Sequence, residues 1–202
     1  MVCFLGADEA LITVNSTING SATLPSGSPY TSPSKVQWSI DNKVIAYYEK
    51  PDYLEIVDRF QLNKGNGFLE VKQLQMADTG IYTVEVSHDK DKKTAKVKLM
   101  IYEKANTPKL ELLSNISGPG FCNLSVRCTT LNGLWVVSLC ELTRANRVCR
   151  VTARNDSTNS ALLLVTATKD AINCSSSNPA STSSAPLLPV TRVCQALVPG
   201  EE

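Results

Sequence analysis

One stretch of seven residues, Asp78–Val84, most restricts the folds open to this chain, because it combines a turn, a tyrosine and an alternating strand. Alternation places Tyr82 and Val84 on one face of that strand. Upstream, Val36–Ile40 alternates in the same way and places Trp38 on a buried face. Similar segments, separated by turn residues, follow one another through the first half of the chain without a sustained helical period. The chain is therefore predicted to be all-β.

A tyrosine at the start of such a strand, downstream of a buried tryptophan, is typical of an immunoglobulin sandwich, in which a cysteine follows the tyrosine by two residues. In this chain Val84 occupies that position, and Ser26 occupies the position expected for the partner cysteine. Because both inter-sheet cysteines are missing, an apolar core has to stabilise this sandwich without a bridge. An immunoglobulin domain uses about 100 residues, so we expect two in tandem, over residues 8–103 and 108–196.

Seven cysteines and six Asn-x-Ser/Thr acceptor sites for N-glycans indicate an oxidising, glycosylating compartment, and hence a secreted or cell-surface protein. The acceptor residues are Asn15, Asn19, Asn115, Asn123, Asn155 and Asn173. The apolar run Val2–Ala7, which includes the odd Cys3, is interpreted as the remnant of a signal peptide, with a first strand edge as the alternative. No apolar run is long enough to span a membrane. If the natural protein is anchored, we expect the anchor beyond Glu202.

Composition and spacing exclude several classes of function. A formal charge of +1 with 19% charged residues provides neither a basic field for nucleic acid nor a polybasic stretch for a membrane surface. The cysteines are too widely spaced for structural zinc, and no metal or cofactor is expected. The single histidine, His88, lies in a charged hairpin where no nucleophile and base can be assembled. Asp78–Gly80 matches the triplet of aspartic proteases, but the second triplet is absent, so no enzyme is expected.

Six of the cysteines lie in the second half of the chain. Alternation along Phe121–Thr129 turns Cys122 and Cys128 inward. Cys128 on the predicted strand B and Cys174 on the predicted strand F occupy the inter-sheet position, so they are expected to pair. The pairing of the other four cysteines stays open on these grounds. The Ser-rich stretch Ser175–Ser184 is expected to be a long irregular connection.

Several short patterns occur in a fixed order along the chain: Arg59-Phe60, Gly67–Val71, Asp78–Tyr82, Cys122-x5-Cys128, Cys174–Pro179 and Cys194. Together they resemble the ectodomains of the signalling lymphocyte activation molecule (SLAM) family and related lymphocyte-adhesion receptors, over nearly the whole chain. The resemblance implies a distal variable-type immunoglobulin domain without the inter-sheet disulfide. It also implies a proximal constant-type domain with several disulfides, and an ion pair between Arg59 and Asp78.

The resemblance also bears on the cysteines left open above, since it implies a bridge between Cys122 and Cys194. Cys140 and Cys149 then remain. They flank a hairpin predicted between strand C, Leu134–Leu139, and a returning segment, and we expect them to form a third, local bridge.

The predicted G-F-C-C′ sheet of the first domain contains no acceptor site, whereas Asn15 and Asn19 are expected on or beside the opposite sheet. By alternation, its outward residues are Gln37, Ser39, Asp41, Ile45, Tyr47, Thr83, Glu85, Ser87, Lys96, Lys98 and Met100. A solvated sheet face is the plain alternative. The resemblance implies instead that this face meets the equivalent face of an immunoglobulin-like partner, which is the same protein or a related receptor.

Two hypotheses about function follow from the resemblance. The first is the ectodomain of a cell-surface immune receptor or adhesion protein, which binds such a partner between cells. The second is a secreted or lipid-anchored immunoglobulin module that acts as a ligand or decoy without signalling of its own. The sequence beyond Glu202 would separate them, because it would contain a membrane span, an anchor signal or a stop.

Overall fold

The computed structural model describes residues 11–155 and 161–194; Cys3 and the rest of the N-terminal apolar run lie outside this range. The chain divides into two compact units, Met1–Glu103 and Lys104–Glu202. The regular secondary structure of both is almost entirely β-strand, which confirms the predicted all-β class. Within the described residues, no helix is long and apolar enough to cross a membrane.

Two sheets make up the first unit. Its strands are β1 (Leu11–Thr17), β2 (Ala22–Leu24), β3 (Lys35–Ile40), β4 (Lys43–Glu49), β5 (Tyr53–Ile56), β6 (Phe60–Leu62), β7 (Leu69–Val71), β8 (Gly80–His88) and β9 (Asp91–Tyr102). A six-stranded sheet has the order β1-β9-β8-β3-β4-β5, and a three-stranded sheet has the order β2-β7-β6. Strand β1 runs parallel to β9, and β8 and β9 form an antiparallel hairpin.

The core of the first unit forms around Trp38, which is fully buried opposite Val84 on the neighbouring strand. The Trp38 indole donates a hydrogen bond of 2.8 Å to the carbonyl of Gly67, so its one polar atom is satisfied. Ser26 is also buried, and its hydroxyl donates to the carbonyl of Asn66 at 2.8 Å. Both positions where the sequence lacks a cysteine are thus core positions. The core here is apolar and unbridged, as predicted.

A tyrosine corner links β8 to the segment before it. The buried Tyr82 hydroxyl donates to the backbone carbonyl of Asp78 at 2.9 Å. Burial raises the pKa of Tyr82 to about 12. The Asp78 carboxylate in turn accepts two hydrogen bonds from Arg59, at 2.9 and 3.0 Å, and one from the backbone N–H of Gln75 at 2.8 Å. The predicted ion pair is therefore confirmed, and the bonds from Arg59 hold the pKa of Asp78 below its ordinary value.

The second unit also contains two sheets, of four and three main strands. Its elements are β10 (Lys109–Gly118), β11 (Phe121–Thr129), β12 (Trp135–Thr143), β13 (Arg147–Arg154), β14 (Leu162–Ala167), β15 (Ala171–Asn178), β16 (Ser181–Ser184), β17 (Leu188–Pro189) and the short helix α1 (Val190–Val193). The sheets have the orders β10-β11-β12-β13 and β14-β15-β16, and β17 pairs with β15.

Three disulfides close the second unit, and they join the cysteines in the pairs expected above. Cys128–Cys174 connects β11 to β15, and so connects the two sheets. Cys122–Cys194 ties β11 to the end of α1, across a separation of 72 residues. Cys140 and Cys149 lie directly opposite each other on β12 and β13, only 9 residues apart in sequence.

The strand predicted as strand C of the second unit is present as β12 and forms the predicted hairpin with β13, but its other neighbour differs from that of a constant-type domain. In an immunoglobulin constant domain, strand C lies beside strand F in the second sheet. Here the corresponding strand, β12, pairs with β11 in the first sheet. The reason is a tight turn: Thr130 N–H donates to the Leu134 carbonyl at 2.9 Å, and Gly133 adopts a φ of 84°. Gly133 supplies the left-handed conformation that favours a hairpin between adjacent strands.

The prediction of a long irregular connection over Ser175–Ser184 is also wrong. Strand β15 extends to Asn178, and β16 returns from Ser181 in antiparallel register. The Asn178 side-chain oxygen accepts the backbone N–H groups of Ala180 and Ser181, both at 2.9 Å. A side chain that satisfies two turn amides allows a Ser-rich stretch to form a tight hairpin.

Candidate functional site

The outer face of the six-stranded sheet brings together all but one of the predicted face residues. These partly or fully exposed positions are Gln37 and Ser39 on β3, Asp41 in the following turn, Tyr47 on β4, Thr83, Glu85 and Ser87 on β8, and Lys96, Lys98 and Met100 on β9. The register places Tyr47, Gln37 and Glu85 in one row across three strands. We call this surface the outer face.

The exception is Ile45, which was predicted to point outward and is buried, with 5% of its surface exposed. Opposite β3, Trp38 pairs with Ala46 while Ser39 pairs with Val44, so Ile45 is an extra residue on β4. Such a bulge reverses the alternation on one side of it. Val44 takes the outward position instead, with 43% of its surface exposed.

The expected position of Asn15 is also wrong. Because β1 pairs with β9, Asn15 belongs to the six-stranded sheet, where it lies opposite Met100. Ile12 and Val14 pack against the core, so Asn15 points outward on the same face as Lys98 and Met100. A glycan on Asn15 would cover the β1–β9 edge of the outer face and leave the β4–β5 edge open.

At that open edge, two tyrosines and two glutamates form a square that we call the tyrosine–glutamate cluster. Tyr47 and Glu49 lie on β4, and each is paired across the strands with a residue of the opposite type, Glu55 and Tyr53 respectively. Each tyrosine donates a hydrogen bond to the glutamate two residues further along its own strand; the Tyr53–Glu55 bond measures 3.1 Å. The two rings touch edge to face, with centroids 5.6 Å apart and an interplanar angle of 74°.

The cluster has a cation beside it and a groove between its side chains. Lys35 Nζ lies 5.0 Å from the centroid of the Tyr47 ring, and the interaction with Tyr47 raises the pKa of Lys35. The hydrogen bond to Glu55 raises the pKa of Tyr53, so its phenol stays protonated. Together with Val44, the four cluster residues line an open groove of about 490 Å³.

Charge is unevenly distributed over the outer face. The β4–β5 edge carries the carboxylates of Glu49 and Glu55, whereas β9 carries a row of lysines, including Lys92 and Lys98. Between them, Glu85 on β8 forms an ion pair of 2.8 Å with Lys92. The two carboxylates at the aromatic edge are therefore open to a partner, as is Asp41 in the turn after β3.

The remaining glycan acceptors differ in how the fold uses them. The Asn155 side chain accepts from Trp135 N–H and donates to the Gly133 carbonyl, both at 2.7 Å, so it stabilises a turn. The amide of Asn115 donates to the Val193 carbonyl. The other acceptors are Asn19 in the turn after β1, Asn123 on β11 and Asn173 on β15. Glycosylation of each stays a prediction.

Sequence reasoning missed the cluster's second strand. None of the predicted face residues lies on Tyr53–Ile56, which forms β5 and pairs with β4. The available signal was a second short alternating run after the turn, in which Tyr53 and Glu55 share one face. Lys35 and Ile81 also lie on the outer face and follow from the same alternation.

Comparison with known proteins agrees with this architecture. Residues 13–102 match the family profile described as immunoglobulin V-set domain. A search of curated proteins finds no match. The solved CD2-binding domain of CD58 aligns with 96% of this chain and 100% of its own, at 17% identity and a TM-score of 0.54. Murine CEACAM1b aligns with 89% of this chain and 97% of its own, at 16% identity and a TM-score of 0.50. CD84 of the SLAM family covers 47% of this chain and 100% of its own, at 21% identity and a TM-score of 0.42.

At these identities, the alignments with CD58 and CEACAM1b show a shared fold only. An immunoglobulin domain combined with disulfides is typical of extracellular proteins. The chain thus contains an immunoglobulin V-set domain over residues 13–102, followed by a second all-β unit that is closed by three disulfides.

Proposed function

We propose that this chain is the ectodomain of a SLAM-type adhesion or recognition receptor at the cell surface, and that it binds an immunoglobulin-like partner through the outer face. The partner is a second copy of the protein or a related receptor. The V-set fold, the residue patterns shared with lymphocyte-adhesion receptors and the chemistry of the outer face support this proposal. CD58, whose solved domain is described as CD2-binding, has a similar fold.

The observation that carries the proposal is the open, aromatic β4–β5 edge of the outer face. A purely solvated sheet face is expected to be polar. Here Tyr53 leaves 57% of its surface exposed beside Tyr47, and Val44 adds apolar surface to the same groove. Binding energy in protein interfaces concentrates in aromatic and arginine side chains. Surrounding charges such as Glu85 and Lys98 then set specificity and the rate of association.

The size and polarity of this face favour weak binding. A single sheet face that is rich in charged side chains suits the modest contact areas of transient recognition complexes. We therefore expect an affinity on the order of micromolar for one pair of molecules. Adhesion would arise from many copies that engage at once between two membranes.

The proposal is tested with beads that carry the full chain, scored for self-aggregation and for capture of leukocytes. Tyr47→Ala, Glu85→Lys and Lys98→Glu should each reduce aggregation or capture several-fold. Gln61→Lys is the matched control, because Gln61 is exposed on β6 of the opposite sheet in the same unit. Equal loss in the control, or no loss in any variant of the outer face, would refute the proposed site.

A further inference from the structure

We infer that the tyrosine–glutamate cluster is a receptor site for a basic side chain, an arginine or lysine on the partner's surface. This inference rests on the proposed function and makes it more specific, because it assigns a chemistry to the partner. The occupant is a positively charged side chain of a separate protein, seated in the groove beside the exposed Tyr53 ring and neutralised by Glu49 and Glu55.

The hydrogen bonds within the cluster leave acceptor capacity for such a group. Each carboxylate accepts its tyrosine hydroxyl through Oε2. An ionised carboxylate offers about four lone-pair sites on its two oxygens, so Oε1 of Glu49 and of Glu55 can accept from an ammonium or guanidinium group. The same internal bonds fix the glutamate side chains in place. Less side-chain freedom is then lost when a partner binds.

The aromatic rings provide a second attraction for a cation, and Lys35 already makes such a contact within this protein. A cation is attracted to the face of a tyrosine ring within about 6 Å of its centroid. Lys35 already holds this position at Tyr47, with Nζ 5.0 Å from the centroid. The Tyr53 ring stands at 74° to that of Tyr47, and 57% of the surface of Tyr53 is exposed. It therefore presents a second aromatic surface to a cation that arrives from outside.

The negative charge at the cluster favours a basic side chain over an acidic or neutral one. The two carboxylates of the cluster outweigh the ammonium group of Lys35, so the cluster and Lys35 together have a net charge of about −1 at neutral pH. An acidic side chain from a partner would be repelled, and a neutral one would leave the carboxylates desolvated without compensation. A planar guanidinium fits best, because it can both stack on a ring and bind a carboxylate through two hydrogen bonds.

The position of the cluster also favours a separate partner. It lies on β4 and β5 at one edge of the six-stranded sheet, whereas Asn15 lies on β1 at the other edge. Face-to-face pairing of two copies about a two-fold axis parallel to the strands would bring the β9 lysines of one copy over the cluster of the other. A glycan on Asn15, opposite Met100 and close to Lys98, would stand in the way of that arrangement.

The test uses the ¹⁵N-labelled full chain, followed by NMR during titration with the peptide acetyl-Gly-Arg-Gly-amide. A matching peptide with citrulline in place of arginine has the same shape without the charge. We expect the arginine peptide to shift the backbone amides of the four cluster residues, saturating at roughly millimolar concentration. Binding should weaken at least threefold in Glu55→Gln and in Tyr53→Leu. It should be unchanged in Glu70→Gln, which removes a carboxylate from the opposite sheet.

Two results would overturn the inference from the peptide titration. One is an equal response to the citrulline peptide, and the other is unchanged arginine binding in Glu55→Gln. Dilution of the protein alone provides a third test. If dilution shifts the same amides, a second copy occupies the cluster and the assignment to a separate basic partner is wrong.

Leukocyte capture, measured in parallel, separates this inference from the proposed function. Loss of capture in Glu55→Gln and Tyr53→Leu supports both. If these variants capture normally while Glu85→Lys does not, the outer face binds the partner but the cluster is not its cation site. If every variant of the outer face captures normally, the proposed function itself fails, whatever the peptide titration shows.

Discussion

The replacement Asp78→Asn tests the electrostatic anchor of the first unit. The Asp78 carboxylate accepts two hydrogen bonds from Arg59 and one from Gln75 N–H. Asparagine preserves the size of the side chain and one acceptor oxygen, but it removes the negative charge. The Arg59 guanidinium is then left beside a neutral amide whose –NH₂ group cannot accept its second hydrogen bond.

The expected loss of stability follows from the exposure of the two side chains. Breaking a deeply buried ion pair costs about 3–5 kcal/mol, whereas exposed pairs contribute about 0–1 kcal/mol. The side chain of Asp78 is 10% exposed and that of Arg59 is 32% exposed, so the pair lies between these limits. We expect Asp78→Asn to lower the free energy of unfolding of the first unit by about 1–3 kcal/mol at pH 7.

Urea unfolding of the full chain measures this loss. The chain has two tryptophans, so a Trp135→Phe background isolates the fluorescence of Trp38 in the first unit. Asp52→Asn is the control, because Asp52 is an exposed carboxylate in a turn. It should change the free energy of unfolding by less than about 0.5 kcal/mol.

The pH dependence gives a sharper test of the cause. The folded-state pKa of Asp78 lies below its ordinary value of 3.8, so the ionised form contributes stability that is complete above that pH. This contribution is lost as the pH falls through the depressed pKa. The gap between wild type and Asp78→Asn should therefore be widest near neutral pH and close in strong acid. A gap that is the same at pH 7 and pH 2, or that never exceeds the control, would refute the ion-pair explanation.

Three further predictions concern the corner, a disulfide and a glycan. Tyr82→Phe should lower the free energy of unfolding, measured in urea, by about 1–3 kcal/mol, because the buried carbonyl of Asp78 loses its hydrogen-bond donor. As the pH rises from 10.0 towards about 12, the wild type should lose more stability than this variant, since the folded pKa of Tyr82 is raised. Removing the Cys140–Cys149 bridge should lower the free energy of unfolding by ~2.5 kcal/mol, against ~4 kcal/mol for the inter-sheet bridge Cys128–Cys174, because Cys140 and Cys149 close a shorter loop. Melting curves of the cysteine-to-serine variants compare the two losses. Asn15→Gln should leave leukocyte capture at least as high as in the wild type, and a several-fold fall would contradict an open β4–β5 edge.

Local patterns allowed the first unit's core and corner to be predicted from the sequence. Trp38 and Tyr82 sit in alternating strands whose buried face is fixed by the pattern itself, and Arg59 and Asp78 were identified through the family resemblance. Such features depend on short segments or on patterns shared with relatives. A single sequence therefore contains enough information to place them.

Features that depend on pairing between strands were harder to predict. The bulge at Ile45 reverses alternation within one strand, and only the register with β3 reveals it. The position of Asn15 depends on which sheet β1 joins, since either sheet could accept its alternating pattern. In the second unit, Asn132-Gly133 was a readable hairpin signal that outweighs the constant-domain strand order expected from the resemblance.

The central claim, that the outer face binds the partner, is tested most directly by placing a glycan on it. Gln37→Asn creates an acceptor site, because Ser39 already stands two residues further along, and it lies in the row between Tyr47 and Glu85. Ser21→Asn is the control: it forms an acceptor motif with Thr23 beside the opposite sheet and removes Ser21 from the motif of Asn19, so it shifts that acceptor by two residues. Once mass spectrometry shows that both new sites are occupied, the Gln37 variant should lose leukocyte capture and the Ser21 variant should keep it. Undiminished capture with a glycan at position 37 would contradict the account.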